Sequence, residues 1–164
     1  MAQLPKEGNS FADVNPHLIH EWHPTKNGSL TPFMMKPSSP KKVWWKCSKG
    51  EDHEWQAGLN KRSHGRGCPI CSGYKVVESN SLLNTHPELS KQWHKAKNSN
   101  LSPENVHAGS VRKVWWRCVK CNNYEWQKNI RTAVASNECQ RCNSFAETFK
   151  SKDVIWHPDK NKTP

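Results

Sequence analysis

The chain has 164 residues, of which 34% are hydrophobic, and its mean hydropathy is −0.96. No apolar run approaches the roughly 18 residues that a membrane-spanning helix needs, so we expect a soluble protein without a membrane partner. The 25 lysines and arginines outnumber the 14 acidic residues and give a formal net charge of +11, which favours a polyanionic partner such as nucleic acid.

The seven cysteines argue against a secreted disulfide scaffold. Their number is odd, most occur in C-x-x-C pairs with histidine nearby, and the N-terminal MAQLPKEGNS has no apolar signal region. These features predict a reducing compartment, which is the cytoplasm or, in a eukaryote, the nucleus.

One sequence unit occurs twice, at a constant offset of 71 residues. Val43–Cys47 (VWWKC) recurs as Val114–Cys118 (VWWRC), and the C-x-x-C pair at Cys68–Cys71 recurs at Cys139–Cys142. A fixed offset predicts two copies of one structure, each too small for a large core without a staple such as a metal ion. We therefore divide the chain into a flexible N-terminus (1–12), zinc module 1 (13–73), a linker (74–84), zinc module 2 (85–144) and a partial third repeat or C-terminal cap (145–164).

Each unit opens with a helical signal at Pro16 or Pro87, where a first turn would begin. The Val-Trp-Trp segments have high β propensity and predict strands that run into the first metal ligands. Glu54–Gln56 and Glu125–Gln127 predict the returning strands, after which a loop leads to the second cysteine pair. The expected fold is a small α+β zinc module, present as two tandem zinc-ribbon or treble-clef-like units with short β-hairpins and short helices.

The second unit carries the spacing C-x2-C-x17-C-x2-C. Two such pairs with this gap predict a structural zinc site, because each tight turn points two thiolates at one ion and zinc accepts four sulfurs in a tetrahedron. The predicted ligands are Cys118, Cys121, Cys139 and Cys142.

The first unit has Gly50 where the second has Cys121. The best substitute ligand is His53, which gives the set Cys47, His53, Cys68 and Cys71. Two alternatives are that His64 is the ligand, or that the site is incomplete. We expect two Zn²⁺ ions per chain, each with four protein ligands and hence structural rather than catalytic.

All nine tryptophans lie at repeated positions, and most are expected to form the two small cores. Neighbouring strand residues point to opposite faces, so Trp44 and Trp45 cannot both enter one core, nor can Trp115 and Trp116. One of each doublet is either covered by the helix–turn segment or exposed as a stacking platform. The histidines after the first tryptophan of each repeat are expected to stabilise turns rather than to act in catalysis.

The basic residues are distributed unequally between the two units. The loop around Lys61, Arg62 and Arg66 is our preferred phosphate contact, whereas the matching loop of the second unit keeps one cation. The candidate nucleic-acid contacts are Lys41, Lys42, Lys46, Lys61, Arg62, Arg66, Arg112, Lys113, Arg117 and Lys128.

Together these residues resemble a family of short zinc-ribbon or treble-clef-like repeats. Its pattern of W-H-P-x-x-N, L-x-P, W-W-K-C, G-H-x-W and C-P-x-C is carried by Trp22–Asn27, Leu30–Pro32, Trp44–Cys47, His53–Trp55 and Cys68–Cys71, and again by the second copy. The first unit departs by inserting Glu51-Asp52 before its histidine, and the second unit replaces that histidine ligand with Cys121. Family members occur in tandem, sometimes beside restriction-endonuclease-like or mismatch-repair-endonuclease-like domains, which implies a DNA-binding accessory role and a nuclease as a candidate protein partner.

These sequence features are compatible with three functions. The leading hypothesis is a non-catalytic, zinc-dependent nucleic-acid-binding protein, with DNA favoured over RNA, that contacts phosphates through a basic face and has no small-molecule substrate. The alternative is a protein-interaction adaptor of phage or mobile-element origin. The third is a His-metal nuclease, which needs an open metal site with histidine and acidic or asparagine partners, and the sequence shows no such set.

Overall fold

The computed structural model describes residues 4–121, 124–136, 139 and 141–142. In this part of the chain two similar small α+β units follow one another, each built around a two-stranded antiparallel sheet. Among these residues no helix combines the length and apolar character needed to cross a bilayer. The predicted third repeat or cap at 145–164 lies outside the described residues.

The first unit contains short helices before and after its hairpin. In chain order its elements are helix α1 (Phe11–Val14), 3₁₀ helices at Pro16–Glu21 and Pro32–Met34, strands β1 (Lys42–Lys46) and β2 (Glu54–Gly58), and helix α2 (Leu59–Ser63).

The second unit repeats the order of two short helices, two strands and one helix, but its additional 3₁₀ helix precedes them instead of following the first two. Its elements are a 3₁₀ helix at Glu78–Asn80, helices α3 (Leu82–Thr85) and α4 (Pro87–Ser90), strands β3 (Lys113–Arg117) and β4 (Glu125–Asn129), and helix α5 (Ile130–Ala135). The predicted strands and the proline-initiated helices are therefore present in both copies.

The N-terminal boundary differs from the predicted flexible segment 1–12. Ser10 caps α1, with the Asp13 N–H donating to its hydroxyl and its own N–H donating to the Asp13 carboxylate. Phe11 and Ala12 are buried, and the Phe11 ring lies 5.5 Å from that of Trp45. The core of the first unit thus begins earlier than the repeat indicated.

Alternation along the strands decides which tryptophan of each doublet enters the core. Trp45 pairs with Trp55, is fully buried, and donates its indole N–H to the Ala57 carbonyl at 3.1 Å. Trp116 does the same in the second unit, with the Lys128 carbonyl as acceptor. Trp44 and Trp115 face outward from the sheets and are half-buried.

In each unit the Trp-His-x-x-x-Asn segment (Trp22–Asn27 or Trp93–Asn98) lies along the edge of the first strand. Asn27 accepts a hydrogen bond from the Trp44 N–H at 2.8 Å and donates to the Trp44 carbonyl at 2.9 Å. Asn98 makes the same two bonds with Trp115. The motif asparagine therefore satisfies backbone groups on the edge of the strand that faces away from its hairpin partner.

The predicted linker, 74–84, is hydrogen-bonded to both units. Ser79 donates its backbone N–H and its hydroxyl to Asp52 of the first unit. Leu82 donates its N–H to the Val106 carbonyl of the second unit, and its side chain is buried there. The short strand considered for 75–77 does not form.

Candidate metal centres and basic surface

The first candidate metal centre gathers residues from three places in the first unit. Cys47 follows β1, His53 precedes β2, and Cys68 and Cys71 follow α2. The Cys47 N–H donates to the His53 carbonyl at 3.0 Å, which closes the turn that carries both ligands. The four ligand atoms lie within 4.8 Å of one another.

The distances in this cluster fit a tetrahedral zinc ion. With bonds of about 2.3 Å to sulfur and about 2.0–2.1 Å to nitrogen, ligand atoms should lie about 3.8 Å (S–S) and about 3.6 Å (S–N) apart. Cys47 Sγ lies 3.7 Å from Cys71 Sγ, and His53 Nδ1 lies 3.4 Å from Cys71 Sγ and 3.9 Å from Cys68 Sγ. His64 is exposed, and its Nδ1 lies 2.6 Å from the Asn60 carbonyl, so His53 is the ligand and the His64 alternative is wrong.

The other nitrogen of His53 faces a second set of partners. His53 Nε2 lies 3.4 Å from the Ser79 hydroxyl and 3.9 Å from an Asp52 carboxylate oxygen. Hydrogen bonds donated by the Ser79 backbone N–H and hydroxyl hold the pKa of Asp52 below its usual value, so this carboxylate stays ionised beside the ring. This arrangement orients Nδ1 toward the sulfurs, as partners beyond the ligands do in zinc sites.

The second candidate centre joins Cys118, Cys121, Cys139 and Cys142, whose sulfurs also lie within 4.8 Å of one another. Cys118 and Cys142 are separated by 3.7 Å, and Cys121 and Cys139 by 4.0 Å, both close to a tetrahedral edge. Cys121 and Cys142 approach to 2.8 Å, so a bound ion would push these two sulfurs apart by about 1 Å.

The thiol chemistry of both clusters fits a bound cation. Burial, followed by the nearby Cys47 and Cys68 sulfurs, raises the pKa of Cys71 to about 12. The neighbouring Cys121 sulfur and burial raise the pKa of Cys142 to about 12. Burial opposes ionisation of Cys118 most strongly, but hydrogen bonds from the N–H groups of Cys121 and Lys120 and from the Cys142 and Cys139 thiols together lower its pKa to about 7. A divalent cation removes the repulsion between thiolates, which is what such crowded clusters require.

Both tetrads supply four protein ligands and leave no coordination position for water or substrate, which is the arrangement of structural zinc sites. In each unit the ion would join the turn between the two strands to the segment that follows α2 or α5. When bound, zinc supplies folding free energy to units with small apolar cores.

Arg62 is buried, so its assignment as a phosphate contact is wrong. The side chain is 3% exposed, pairs with Glu21, and donates to the Arg66 carbonyl. Its guanidinium also lies 4.9 Å from the Trp45 ring and 5.5 Å from the Trp55 ring. The segment predicted as a loop begins with helix α2, and Arg62 lies on the side of this helix that faces the core.

Lys61, Arg66 and Lys75 line one groove of about 470 Å³ on the surface of the first unit, together with the ring of Tyr74. All four residues are exposed. Lys61 and Arg66 were predicted contacts, whereas Lys75 and Tyr74 were missed because they fall in the presumed linker. Their position shortly after Cys68–Cys71 was the sequence feature that could have identified them as part of this surface.

The other predicted basic residues lie in three places. Lys42 and Lys46 flank Trp44 on the outer face of β1, and Lys113 and Arg117 flank Trp115 on β3. Lys41 and Arg112 are exposed at the entry to these strands. Lys128 donates to the Ser136 hydroxyl and carbonyl.

The outward tryptophans are partly covered. The ammonium of Lys26 lies 4.9 Å from the Trp44 ring, and that of Lys97 lies 4.4 Å from the Trp115 ring. These are cation–π contacts, and each occupies part of the face that a stacked base would need. Of the two alternatives for the doublets, coverage by the turn segment is the one that the structure favours.

The repeated histidines stabilise turns, as the sequence suggested. His23 Nδ1 accepts from the Lys26 N–H at 3.1 Å, and His94 Nδ1 accepts from the Lys97 N–H at 3.1 Å. The opposite ring nitrogens lie 3.1 Å and 2.8 Å from carboxylate oxygens of Glu54 and Glu125. The third repeated histidine, His157, lies outside the described residues.

Comparison with protein families gives one match, which occurs twice in the chain. A family described as a probable treble clef zinc finger domain covers residues 18–74 and again 89–144. Each match contains one of the two ligand clusters. No curated protein matches the chain.

Proposed function

The chain belongs to the family of probable treble clef zinc finger domains, and from this premise we propose that it is a non-catalytic, zinc-dependent nucleic-acid-binding protein, with DNA the favoured ligand. The observation that carries the proposal is the groove of the first unit, where Lys61, Arg66 and Lys75 converge. Three cations around one concave surface suit a chain of phosphates.

The first zinc centre supports this groove directly. Lys61 belongs to α2, while Arg66 and Lys75 stand on either side of the Cys68–Cys71 pair. The Lys75 N–H donates to the Pro69 carbonyl at 2.9 Å, inside that ligand turn. A metal ion that fixes this turn would therefore also fix the spacing of the cations.

The second unit offers no equivalent set. At the offset of 71 residues, Thr132, Asn137 and Ala146 stand in place of Lys61, Arg66 and Lys75. The zinc framework is thus repeated without the cations, which supports a ligand site in the first unit rather than a charge pattern required by the fold.

The test is the triple variant K61A/R66A/K75A, measured for binding to a labelled oligonucleotide over a range of salt concentrations. We expect the slope of log affinity against log salt to fall by about 2–3, because each lost phosphate contact removes about 0.7–0.9 of slope. The matched control K36A/K91A/K95A removes the same charge from exposed lysines outside the groove. Equal effects of the two triples would show that total charge, not the groove, drives binding.

A protein-interaction adaptor is the second candidate, because Leu4, Phe33 and Met34 are exposed apolar side chains of the first unit. Absence of binding to DNA and RNA even at 50 mM salt would favour this function over the first. Lost capture of a cellular protein after F33S/M34S substitution would then support it.

A further inference from the structure

We propose that the groove of the first unit binds an unpaired stretch of DNA, with one base stacked on Tyr74 and the adjoining phosphates on the surrounding cations. The inference rests on the proposed function and adds the strandedness of the ligand. It predicts a preference for single strands over duplex that depends on one aromatic ring.

Tyr74 is an exposed ring on a fixed backbone. Its side chain is 91% exposed and, within the described part of the chain, makes no hydrogen bond or ring contact. The neighbours on both sides are held, since the Gly73 N–H donates to the Ile70 carbonyl at 3.0 Å and the Lys75 N–H to the Pro69 carbonyl. A ring presented in this way loses little backbone freedom when a base stacks on it.

Gly73 fixes the direction in which Tyr74 projects. It has a φ of +72°, and a Cβ at this position would lie 2.7 Å from His107 Nδ1 of the second unit. The chain can thus turn sharply between the zinc turn and the second unit only with glycine here. Tyr74 consequently stands at the junction of the two units.

Positive or neutral groups line both sides of the ring. On one side lie Lys61, Arg66 and Lys75, and on the other a second groove of about 550 Å³ includes His107 and Arg112. Tyr74 belongs to the lining of both grooves, and neither lining contains an aspartate or glutamate. The linings of both grooves therefore present no like charge to a polyanionic strand.

The exposed ring selects an unpaired base. Bases inside a duplex are already stacked on both faces, whereas a single strand can turn one base outward onto an aromatic side chain. The stacking energy per base corresponds to about 5- to 150-fold in affinity. Phosphate contacts alone would give no such preference.

The experiment compares the wild-type chain with Y74A and Y74F, all loaded with zinc, by fluorescence anisotropy. Four nucleic acids are compared. They are an oligothymidylate of 15 nucleotides, the same strand with abasic sites in place of its bases, a DNA duplex of equal length, and the corresponding oligouridylate. Zinc content and tryptophan fluorescence confirm that each variant is folded.

We expect Y74A to weaken binding of the single strand by about 5- to 150-fold and binding of the duplex or abasic strand by less than about 2-fold, with Y74F close to wild type. Equal losses on single strand and duplex, or no loss on either, would overturn the role of Tyr74 while leaving the proposed function intact. Wild-type protein that binds none of the four ligands at low salt would overturn the proposed function itself. Tighter binding to oligouridylate than to oligothymidylate would overturn the assignment to DNA.

Discussion

The motif asparagine Asn98 offers a sharp test of how this small fold is held together. Its side chain is almost fully buried and bridges the N–H and carbonyl of Trp115 at 2.8 and 2.9 Å. The Trp115 carbonyl has a second donor in the His94 N–H, at 3.1 Å. Replacing Asn98 with alanine would leave the Trp115 N–H unpaired and the carbonyl with one donor.

The size of the loss follows from these contacts. Loss of the partner of the partly buried Trp115 N–H costs up to about 1–3 kcal/mol, and the lost bond to the carbonyl about 1 kcal/mol, so N98A should lose up to roughly 2–4 kcal/mol. A unit of about 60 residues has only about 3–9 kcal/mol of stability in total. The midpoint of its thermal transition should fall by roughly 10–30 °C.

The assay is urea and thermal unfolding of the zinc-loaded protein, followed by tryptophan fluorescence. N98D keeps the acceptor for the Trp115 N–H and should lose less than N98A. N27A removes the equivalent bonds in the first unit, where Asn27 is more exposed, and should also lose less. The control is N100A, an exposed asparagine whose side chain has no hydrogen bond in the described residues. A loss below about 0.5 kcal/mol in N98A would refute this account of the motif.

Three further predictions concern the metal centres and the repeated carboxylate. Elemental analysis should find two zinc ions per chain, and excess chelator should unfold both units, whereas unchanged fluorescence and circular dichroism would contradict structural zinc. D52A should weaken zinc binding in the first unit by about 10- to 100-fold and leave zinc binding in the second unit unchanged, as measured by competition with a chromophoric chelator. Equal zinc affinities of the first site in the wild-type and D52A proteins would contradict a role of Asp52 in positioning His53. Hydrogen bonds from Lys26 and then His23 lower the pKa of Glu54 to about 2, so its contribution to stability is present above pH 4.5 and lost as pH falls toward 2. A carboxyl ¹³C titration midpoint near 4.5 would contradict that contact.

The repeat and the ligand spacing made the fold and the metal centres predictable. The limits that a short strand sets on neighbouring side chains predicted that one tryptophan of each doublet enters the core, whereas only the folded chain shows that these are Trp45 and Trp116. His53 could be chosen over His64 because it stands beside the repeated Glu-Trp pair, which placed it in the first turn.

The basic surface was less predictable, because charge in a sequence does not reveal which way a side chain points. Arg62 lies between two exposed cations in sequence, yet its long side chain crosses the tryptophan core to reach Glu21. Tyr74 and Lys75 were not predicted, because the basic residues that line the groove with them, Lys61 and Arg66, come from α2 and the turn after it. Only the folded chain brings these segments together.

The inserted Glu51-Asp52 links the metal, the groove and the junction between the units. Without the insertion the histidine turn would lack Asp52, and Ser79 would have no carboxylate to bind. The segment from Cys71 to Ser79, in which Tyr74 lies, is also held by Asn80, whose side chain donates to the Ile70 and Lys75 carbonyls at 2.9 and 3.0 Å. These contacts and the one to Asp52 hold the Tyr74 ring between two grooves. The contact between Asp52 and Ser79 therefore joins the first zinc centre to the segment that carries Tyr74, on the surface where we place the ligand.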